Sequence, residues 1–416
     1  MNLYLGIDFG TSGVRAIVID SDCTIKSELQ YAFNDDFSDL AKSWQTALFD
    51  VLNQINSDLK KHIKAICING TSATVLLCDR SGNPITSPLM YNDTHGVDVM
   101  DKIRAIAPPQ HTVLSPTSSL AKLFFWQSKY DKLTEYYFLH QADWLGYLLH
   151  GQIGITDYHN ALKLGYDVEN LCYPEWLTNL PFFDILPKVI KPGEIIGEIL
   201  PEIAENLGFK KDCVICAGTT DSIAAFIASG ANLPGESVTS LGSTLVIKLL
   251  SKTRVENADY GIYSHKLGDL WLIGGASNTG GCVLRKYFTD EELVKLSQEI
   301  NPEIETGLEY YPLIKPGERF PINDANLPPK ILPYPDSKVI FLQGILESIG
   351  KIEAKGYKLL EELGGSKLTK VYTAGGGAKN ENWAKIREKY LKVPIVRSKY
   401  PEAAYGSALL SYDNFC

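Results

Sequence analysis

The chain carries no run of lysine or arginine, and with a net charge of -9 and a pI near 5.4 it lacks the electrostatic footprint of a nucleic-acid binder. No segment approaches the roughly 18 consecutive apolar residues that span a bilayer. No charged-then-apolar leader precedes the strand-like run that opens at Leu3. The expected location is therefore cytoplasmic, or an organelle stroma where a targeting peptide is missing. A disulfide framework is absent too, because the eight cysteines, at 23, 67, 78, 172, 213, 216, 282 and 416, are scattered through 416 residues. Cys213 and Cys216 form a C-x-x-C, but it lies in the apolar run CVICAG. A strand there sends residues three apart to opposite faces, and no second pair stands at zinc-site spacing. None of the seven histidines belongs to an H-E-x-x-H or similar cluster, so no metal site built from side chains alone is expected. Neither G-x-x-x-x-G-K-S/T nor a G-x-G-x-x-G with its distal acid occurs, which removes the Walker and Rossmann routes to a nucleotide.

What remains is a chain with 45% hydrophobic residues, enough for full cores in roughly two to three domains, whose partners are expected to be small molecules. Three stretches carry chemistry. The first is Leu3 to Asp20, LYLGIDFGTSGVRAIVID, two strand-like runs around Gly10-Thr11-Ser12-Gly13 that read as a β-hairpin. Gly10 and Gly13 let the backbone fold tightly and approach a ligand, while Thr11 and Ser12 set hydroxyls beside exposed amides, which makes a phosphate cradle. A plain surface hairpin would look the same. Asp8, at the edge of the turn, suits Mg²⁺ held through water or a substrate hydroxyl.

The second stretch runs from Cys213 to Leu250. A strand stops at Gly218, and Asp221 then opens a small-residue helix, where it is a candidate base and equally a good helix cap. A strand from Glu236 to Leu241, the turn Gly242-Ser243-Thr244 and a strand to Leu250 repeat the first hairpin. Two such hairpins about 230 residues apart suggest two similar halves gripping one triphosphate. The third stretch, TKVYTAGGGAKNENW from Thr369 to Trp383, takes a strand into three glycines and a polar helix start, with amides facing whatever lies over the turn. Coming after two phosphate hairpins it reads as the adenosine site. Gly376, Gly377, Ala378 and Lys379 form the turn, Asn380 is placed to hydrogen-bond the ring or ribose, and Trp383 to lie along it.

Between these stretches Trp44, Leu48, Val51, Leu52 and Ile55 recur at helical spacing before a buried strand from Ile63 to Ile68, an α/β alternation. Ser72, just past that strand, is a candidate sugar contact at a strand end or simply a turn residue. A hairpin-like pair is predicted around Asp79 to Pro84. Asp93, in Tyr91-Asn92-Asp93-Thr94-His95, suits either sugar hydroxyls or the cap of a following helix. Leu120, Leu123, Phe124 and Trp126, and then Trp144, Leu145, Leu148 and Leu149, mark helix stripes that face a core.

The order of GIDFGTSGVRA, AGTTDS, SLGSTLV, TAGGGAKNENW and PEAAYGSALL resembles the FGGY carbohydrate kinases of the actin-like ATPase superfamily over nearly the whole chain. SPTSSLAKLFFW is similar to the family's first signature, with one residue more between Lys122 and Trp126. Where many members have an aromatic-x-Asp-x-Arg sugar contact, this chain has His95 in the arginine's place. The compact length resembles the plant and cyanobacterial D-ribulose kinase group.

The resemblance implies two α/β domains of the actin-like, ribonuclease H-like kind facing a central cleft. The first would cover 1–228, joined by a returning helix over 402–416, and the second 229–401. It implies ATP and Mg²⁺ as cofactors, and a small sugar, D-ribulose, phosphorylated at O5, with D-xylulose or glycerol as alternatives. Asp221 would be the base, Asp8 would hold Mg²⁺ or the sugar, and Thr11 and Ser243 would flank the phosphates. Ser12, Gly13, Val14, Arg15, Ser72 and Asp93 would line the sugar side. Gly10, Gly242, Thr244 and Gly280 would serve the nucleotide. A non-catalytic actin-like filament protein would share the nucleotide site without needing Asp8, Ser72, Asp93 and Asp221 together. A heat-shock chaperone of the superfamily would need a peptide-binding domain that this length does not lead one to expect.

Overall fold

The computed structural model describes residues 1–33 and 39–415. The chain divides into two units, Met1–Ala228 with Glu402–Cys416, and Ser229–Pro401. Each is built on a six-stranded mixed sheet flanked by helices.

In the first unit the strands are β1 Leu3–Phe9, β2 Gly13–Asp20, β3 Ile25–Ala32, β4 Ile63–Gly70, β5 Ile195–Glu198 and β6 Val214–Thr220, in the order β3-β2-β1-β4-β6-β5. Two-residue periodicity decides what each face of β1 does. Leu3, Leu5, Ile7 and Phe9 are fully buried in a core with Trp44, Leu48 and Val51 of the helix Leu40–Gln54 and Trp144 and Leu145 of the helix Gln141–His150. Tyr4, Gly6 and Asp8 therefore point to the other side, where the helix Ala403–Tyr412 lies. There Tyr4 meets Tyr412 edge-on at 5.0 Å, and Asn69 Nδ2 donates to Ser407 Oγ at 2.8 Å.

A β-carbon on Gly6 would overlap the backbone of Ala404 and Ala408, and one on Gly406 would overlap the carbonyl of Ala224 in the helix Asp221–Ala228. Small residues are thus what allow the closing helix to lie on the sheet, and the same geometry brings Asp221 to the side on which Asp8 points. A second core in this unit gathers Val75, Leu77, Leu120, Leu123, Phe124, Trp126 and Phe138. The hairpin-like pair predicted around Asp79 to Pro84 is present as two isolated antiparallel bridges, Cys78 to Pro84 and Val75 to Leu89, with Asp79 N–H on Asn83 C=O and Ile85 N–H on Leu77 C=O, each at 2.9 Å. Asp79 Oδ1 accepts the Ser81 and Asn83 amides in a tight turn, and the strand Val75–Cys78 takes Tyr137–His140 as its ladder partner.

The second unit has β7 Glu236–Leu241, β8 Leu245–Ser251, β9 His265–Leu267, β10 Leu270–Ser277, β11 Lys370–Ala374 and β12 Ile395–Arg397, ordered β9-β10-β8-β7-β11-β12. The run β10-β8-β7-β11 repeats β3-β2-β1-β4, with a central strand antiparallel to the next strand in the chain and parallel to a later one. Its core is filled from the helices Lys338–Glu362 and Glu381–Leu391. Those helices carry a wholly buried ion pair, Arg387 to Glu353 at 2.6 and 2.7 Å. Glu353 also accepts from Thr239 on β7, and Arg387 donates to Thr373 on β11, at 2.5 and 2.9 Å. Deleting one partner of such a pair costs about 3–5 kcal/mol, so the two strands that lead into the unit's glycine turns are held firmly. Among the described residues no helix is long and apolar enough to cross a membrane.

Candidate active site

The first hairpin puts its polar residues at the tip. Gly10 N–H donates to Gly13 C=O at 3.0 Å to close the turn, and Thr11 and Ser12 stand exposed. Among the described residues their amides donate no hydrogen bond, so both N–H groups are available to an anion. Val14 is buried in the core and offers only its backbone. Asp8 and Arg15 are cross-strand partners and so share a face, and the Arg15 guanidinium is ion-paired with Glu402. Burial first, and then neighbouring Asp221, push the Asp8 carboxyl up to about 7 from its ordinary 3.8, while Arg15 pulls the other way. Asp8 Oδ1 is buried and has no hydrogen-bond partner among the described residues. A cation or a substrate hydroxyl fits that oxygen, since either would satisfy it. Asp221 starts its helix and accepts the Ser222 amide at 2.6 Å.

Two further loops follow β4 in the same unit. Ser72 lies in the turn Thr71–Thr74, in which Thr74 N–H donates to Thr71 C=O at 3.2 Å. Asp93 Oδ1 accepts from the His95 amide at 2.9 Å and lies 2.7 Å from His95 Nδ1, so Asp93 organises its own turn and caps no regular helix.

In the second unit the turn Gly242-Ser243-Thr244 presents Ser243 and Thr244 to solvent. It is stitched to the loop after β10: Gly281 N–H donates to Gly242 C=O at 2.9 Å, Cys282 N–H to Ser243 C=O at 3.0 Å, and Leu245 N–H to Thr279 C=O at 2.8 Å. Gly280 has φ 142°, and a β-carbon there would run into Thr244, so only glycine closes this seam. Glu318, nearly buried, holds the loop from beneath by accepting from Asn278 N–H at 2.8 Å and Ser277 Oγ at 2.5 Å.

β11 then delivers Gly375 and Gly376 exposed, followed by a short 3₁₀ turn over Gly376–Lys379. Two residues expected to touch the nucleoside are otherwise engaged. Asn380 Oδ1 caps its helix on the Trp383 amide at 2.9 Å, and its Nδ2 donates to Ser297 Oγ at 2.8 Å. Trp383 is 3% exposed with its indole N–H on Leu346 C=O at 3.1 Å, so its ring packs beneath Gly377 and supports the turn. Sequence reading missed Glu402, Glu318 and the Glu353–Arg387 pair. Their partners lie 34 to several hundred positions away, and no local pattern announces them.

Comparison with known proteins matches residues 3–228 to the N-terminal domain and 238–412 to the C-terminal domain of the FGGY family of carbohydrate kinases. The chain is similar to a xylulose kinase of Staphylococcus epidermidis, 23% identical over 98% of this chain and 87% of that one. It is similar as well to a gluconokinase of Bacillus subtilis, 22% identical over 98% and 86%. The fold is that of the crystal structure of a xylulose kinase from Rhodospirillum rubrum, with a TM-score of 0.84 at 19% identity over 100% of this chain and 90% of that one. With both family domains present in order, the chain belongs to the FGGY carbohydrate kinases, ATP-dependent phosphotransferases that act on sugars.

Proposed function

We propose that the enzyme transfers the γ-phosphoryl group of ATP to the 5-hydroxyl of free D-ribulose, giving D-ribulose 5-phosphate and ADP. The observation that carries the assignment of roles is Asp8 beside Asp221, with one buried oxygen left unsatisfied. In this reading Asp221 takes the proton of the attacking hydroxyl as the new O–P bond forms and the bond to ADP breaks. Asp8 orients the sugar or holds Mg²⁺, which would neutralise phosphate charge. Thr11 and Ser12 offer amides and hydroxyls to phosphate, as do Ser243 and Thr244 with the amide of Gly280, and Gly376–Lys379 form the nucleoside turn. The unit 1–228 with 402–416 is thus the sugar domain and 229–401 the nucleotide domain.

Charge narrows the acceptor. Of the basic groups beside the acceptor loops, Arg15 is paired with Glu402 and Lys122 donates to two main-chain carbonyls, while Lys163, near enough to act on Lys122, has no ion pair among the described residues. Three carboxylates, Asp8, Asp93 and Asp221, stand against them. A neutral ketose fits the three carboxylates as they stand, whereas an aldonate such as gluconate would bring a fourth negative charge and have to draw on Lys163. D-Ribulose in particular rests on DFGTSGVR and AGTTDS. D-Xylulose is the second reading, favoured by the xylulose kinases among the relatives.

An ATP-consumption screen over pentuloses, polyols, hexoses and gluconate tests both. D-Ribulose should show the highest kcat/KM, with D-xylulose at least about tenfold lower, the equivalent of one hydrogen bond. A preference for D-xylulose or glycerol would replace the substrate and leave the kinase. Good turnover of gluconate would refute the charge argument.

A further inference from the structure

Lys122, on the helix Ser119–Gln127, is 0% exposed. An ammonium in such a place is costly unless its N–H groups find acceptors. Its Nζ donates to two main-chain carbonyls, Ala73 and Met90, each at 2.6 Å. These belong to the two acceptor loops: Ala73 follows Ser72, and Met90 C=O also accepts the Asp93 amide at 2.9 Å. Ala73 has φ 63°, a left-handed conformation that a residue with a side chain holds only under constraint. The same turn is gripped from its other end by Gln141, whose Oε1 accepts from Thr71 N–H at 3.0 Å and Thr71 Oγ1 at 3.1 Å. Gly96, just past Asp93, packs against Ala121 so closely that a β-carbon would touch it, which seats the lysine's helix directly on the second loop.

We propose that Lys122 is a positioning residue of the acceptor site: by clamping both carbonyls it fixes the separation of Ser72 and Asp93, and so decides which sugar hydroxyls are bonded. The inference rests on the reading of Ser72 and Asp93 as sugar contacts. Lys122 itself touches no substrate. Burial, with Lys163 adding to it, pulls the ammonium down to about 8 while Asp93 opposes them, so the two carbonyls and Asp93 hold the charge against its surroundings. Specificity of this kind needs supporting groups that keep contacts in place to about half an ångström.

The test uses the full chain and whichever ketose the screen ranks first. Lys122→Met keeps the aliphatic stem and removes the donors, whereas Lys122→Gln keeps a shorter neutral donor. Lys122→Met should raise the sugar KM about tenfold or more, leave the KM for ATP within about twofold, and bring the kcat/KM ratio between D-ribulose and D-xylulose toward one, with Lys122→Gln in between. Parallel rises in both KM values with the epimer ratio kept would mean general loosening and overturn the proposal, as would an unchanged sugar KM. Should Lys122→Met fail to fold, Lys122→Gln carries the same readouts. Ser72→Ala and Asp93→Asn separate the layers. If both leave the sugar KM alone, the acceptor reading fails and this inference with it. If they raise it while the Lys122 variants do not, only the role of Lys122 is overturned.

Discussion

Asp8→Asn should make the ligand-free protein more stable and the enzyme inactive, and the gain in stability should depend on pH in a way that identifies its cause. Burial and Asp221 raise the Asp8 carboxyl from 3.8 to about 7. Between those values the folded protein keeps a proton that the unfolded chain releases, so stability falls as pH rises. Below about pH 4 both states hold the proton and nothing is lost. Above about pH 7 both have released it and the loss is complete. At 1.36 kcal/mol per unit the full shift is worth about 4 kcal/mol, and the part of Asp8 still open to water screens it to about 2 kcal/mol. Asparagine has the same shape and no charge to desolvate. The variant should therefore gain about 2 kcal/mol at pH 8 and about 0.5 kcal/mol at pH 4.5. Equilibrium urea unfolding in EDTA at the two pH values measures this, following the transition that reports the first unit, because two units need not unfold together. A gain equal at both pH values would point to packing. No gain at pH 8 would refute the idea that Asp8 is a strained carboxylate waiting for a cation or hydroxyl.

Asp221→Asn should retain ATP binding by calorimetry and lose roughly 10²- to 10⁴-fold in kcat, the range for a missing general base; activity within a few-fold of the parent would confine Asp221 to starting its helix. Trp383→Ala removes the ring packed under Gly377, so thermal unfolding should register a loss of about 3–5 kcal/mol and the KM for ATP should rise more than that for sugar. Equal rises would show that the damage spreads beyond the turn. Gly406→Ala pushes a methyl into the Ala224 carbonyl of the Asp221 helix, which should lower stability by about 1–3 kcal/mol and reduce kcat with little change in the KM for ATP. An unchanged Tm would disprove that close packing.

Both glycine hairpins and the strand into Gly375 were legible because their determinants are local. An apolar β-branched run, a break of Gly, Ser and Thr, and a second run specify a hairpin whatever surrounds it, and the structure has β1–β2 and β7–β8 over those residues. Local signals with two uses were not decidable in this way. Asn380 at a helix start is equally a ligand contact and a cap, and only the distance to the Trp383 amide decides between them. Trp383 is equally a stacking platform and a core residue, which 3% exposure settles for the core. Asp79 to Pro84 has the turn residues of a hairpin and pairs through isolated bridges, while the regular ladder partner of the strand before it lies some 60 residues on, at Tyr137–His140. Hydrophobic pattern near the turn does not point there. The Arg15–Glu402 pair and the packing of Gly6 against Ala404 and Ala408 join the two ends of the chain, so no window of sequence contains both partners.

The repeated sheet sets different side chains beside similar turns. Register aligns the two units residue by residue: Asp8 lies beside Asn69 and opposite Arg15, and at the matching place on β7 Ser240 lies beside Ala374 and opposite Val246. Phe9-Gly10-Thr11-Ser12 therefore corresponds to Leu241-Gly242-Ser243-Thr244, with the second turn one residue shorter: three residues separate Leu241 from Leu245, against four between Phe9 and Val14. The residues just before each turn differ in charge. The first unit sets a carboxylate and a guanidinium under its cradle, and the second sets a hydroxyl and an aliphatic side chain there. In the assignment proposed above, a carboxylate at position 240 would stand two residues before a phosphate turn and disfavour an anion there, since like charges repel more strongly as the dielectric falls. The acid can remain only where an acceptor hydroxyl or a cation comes between it and the phosphates, which is the part proposed for Asp8. In the proposed assignment the duplicated fold supplies two phosphate turns, and the cross-strand pair Asp8–Arg15, against Ser240–Val246, marks the acceptor side.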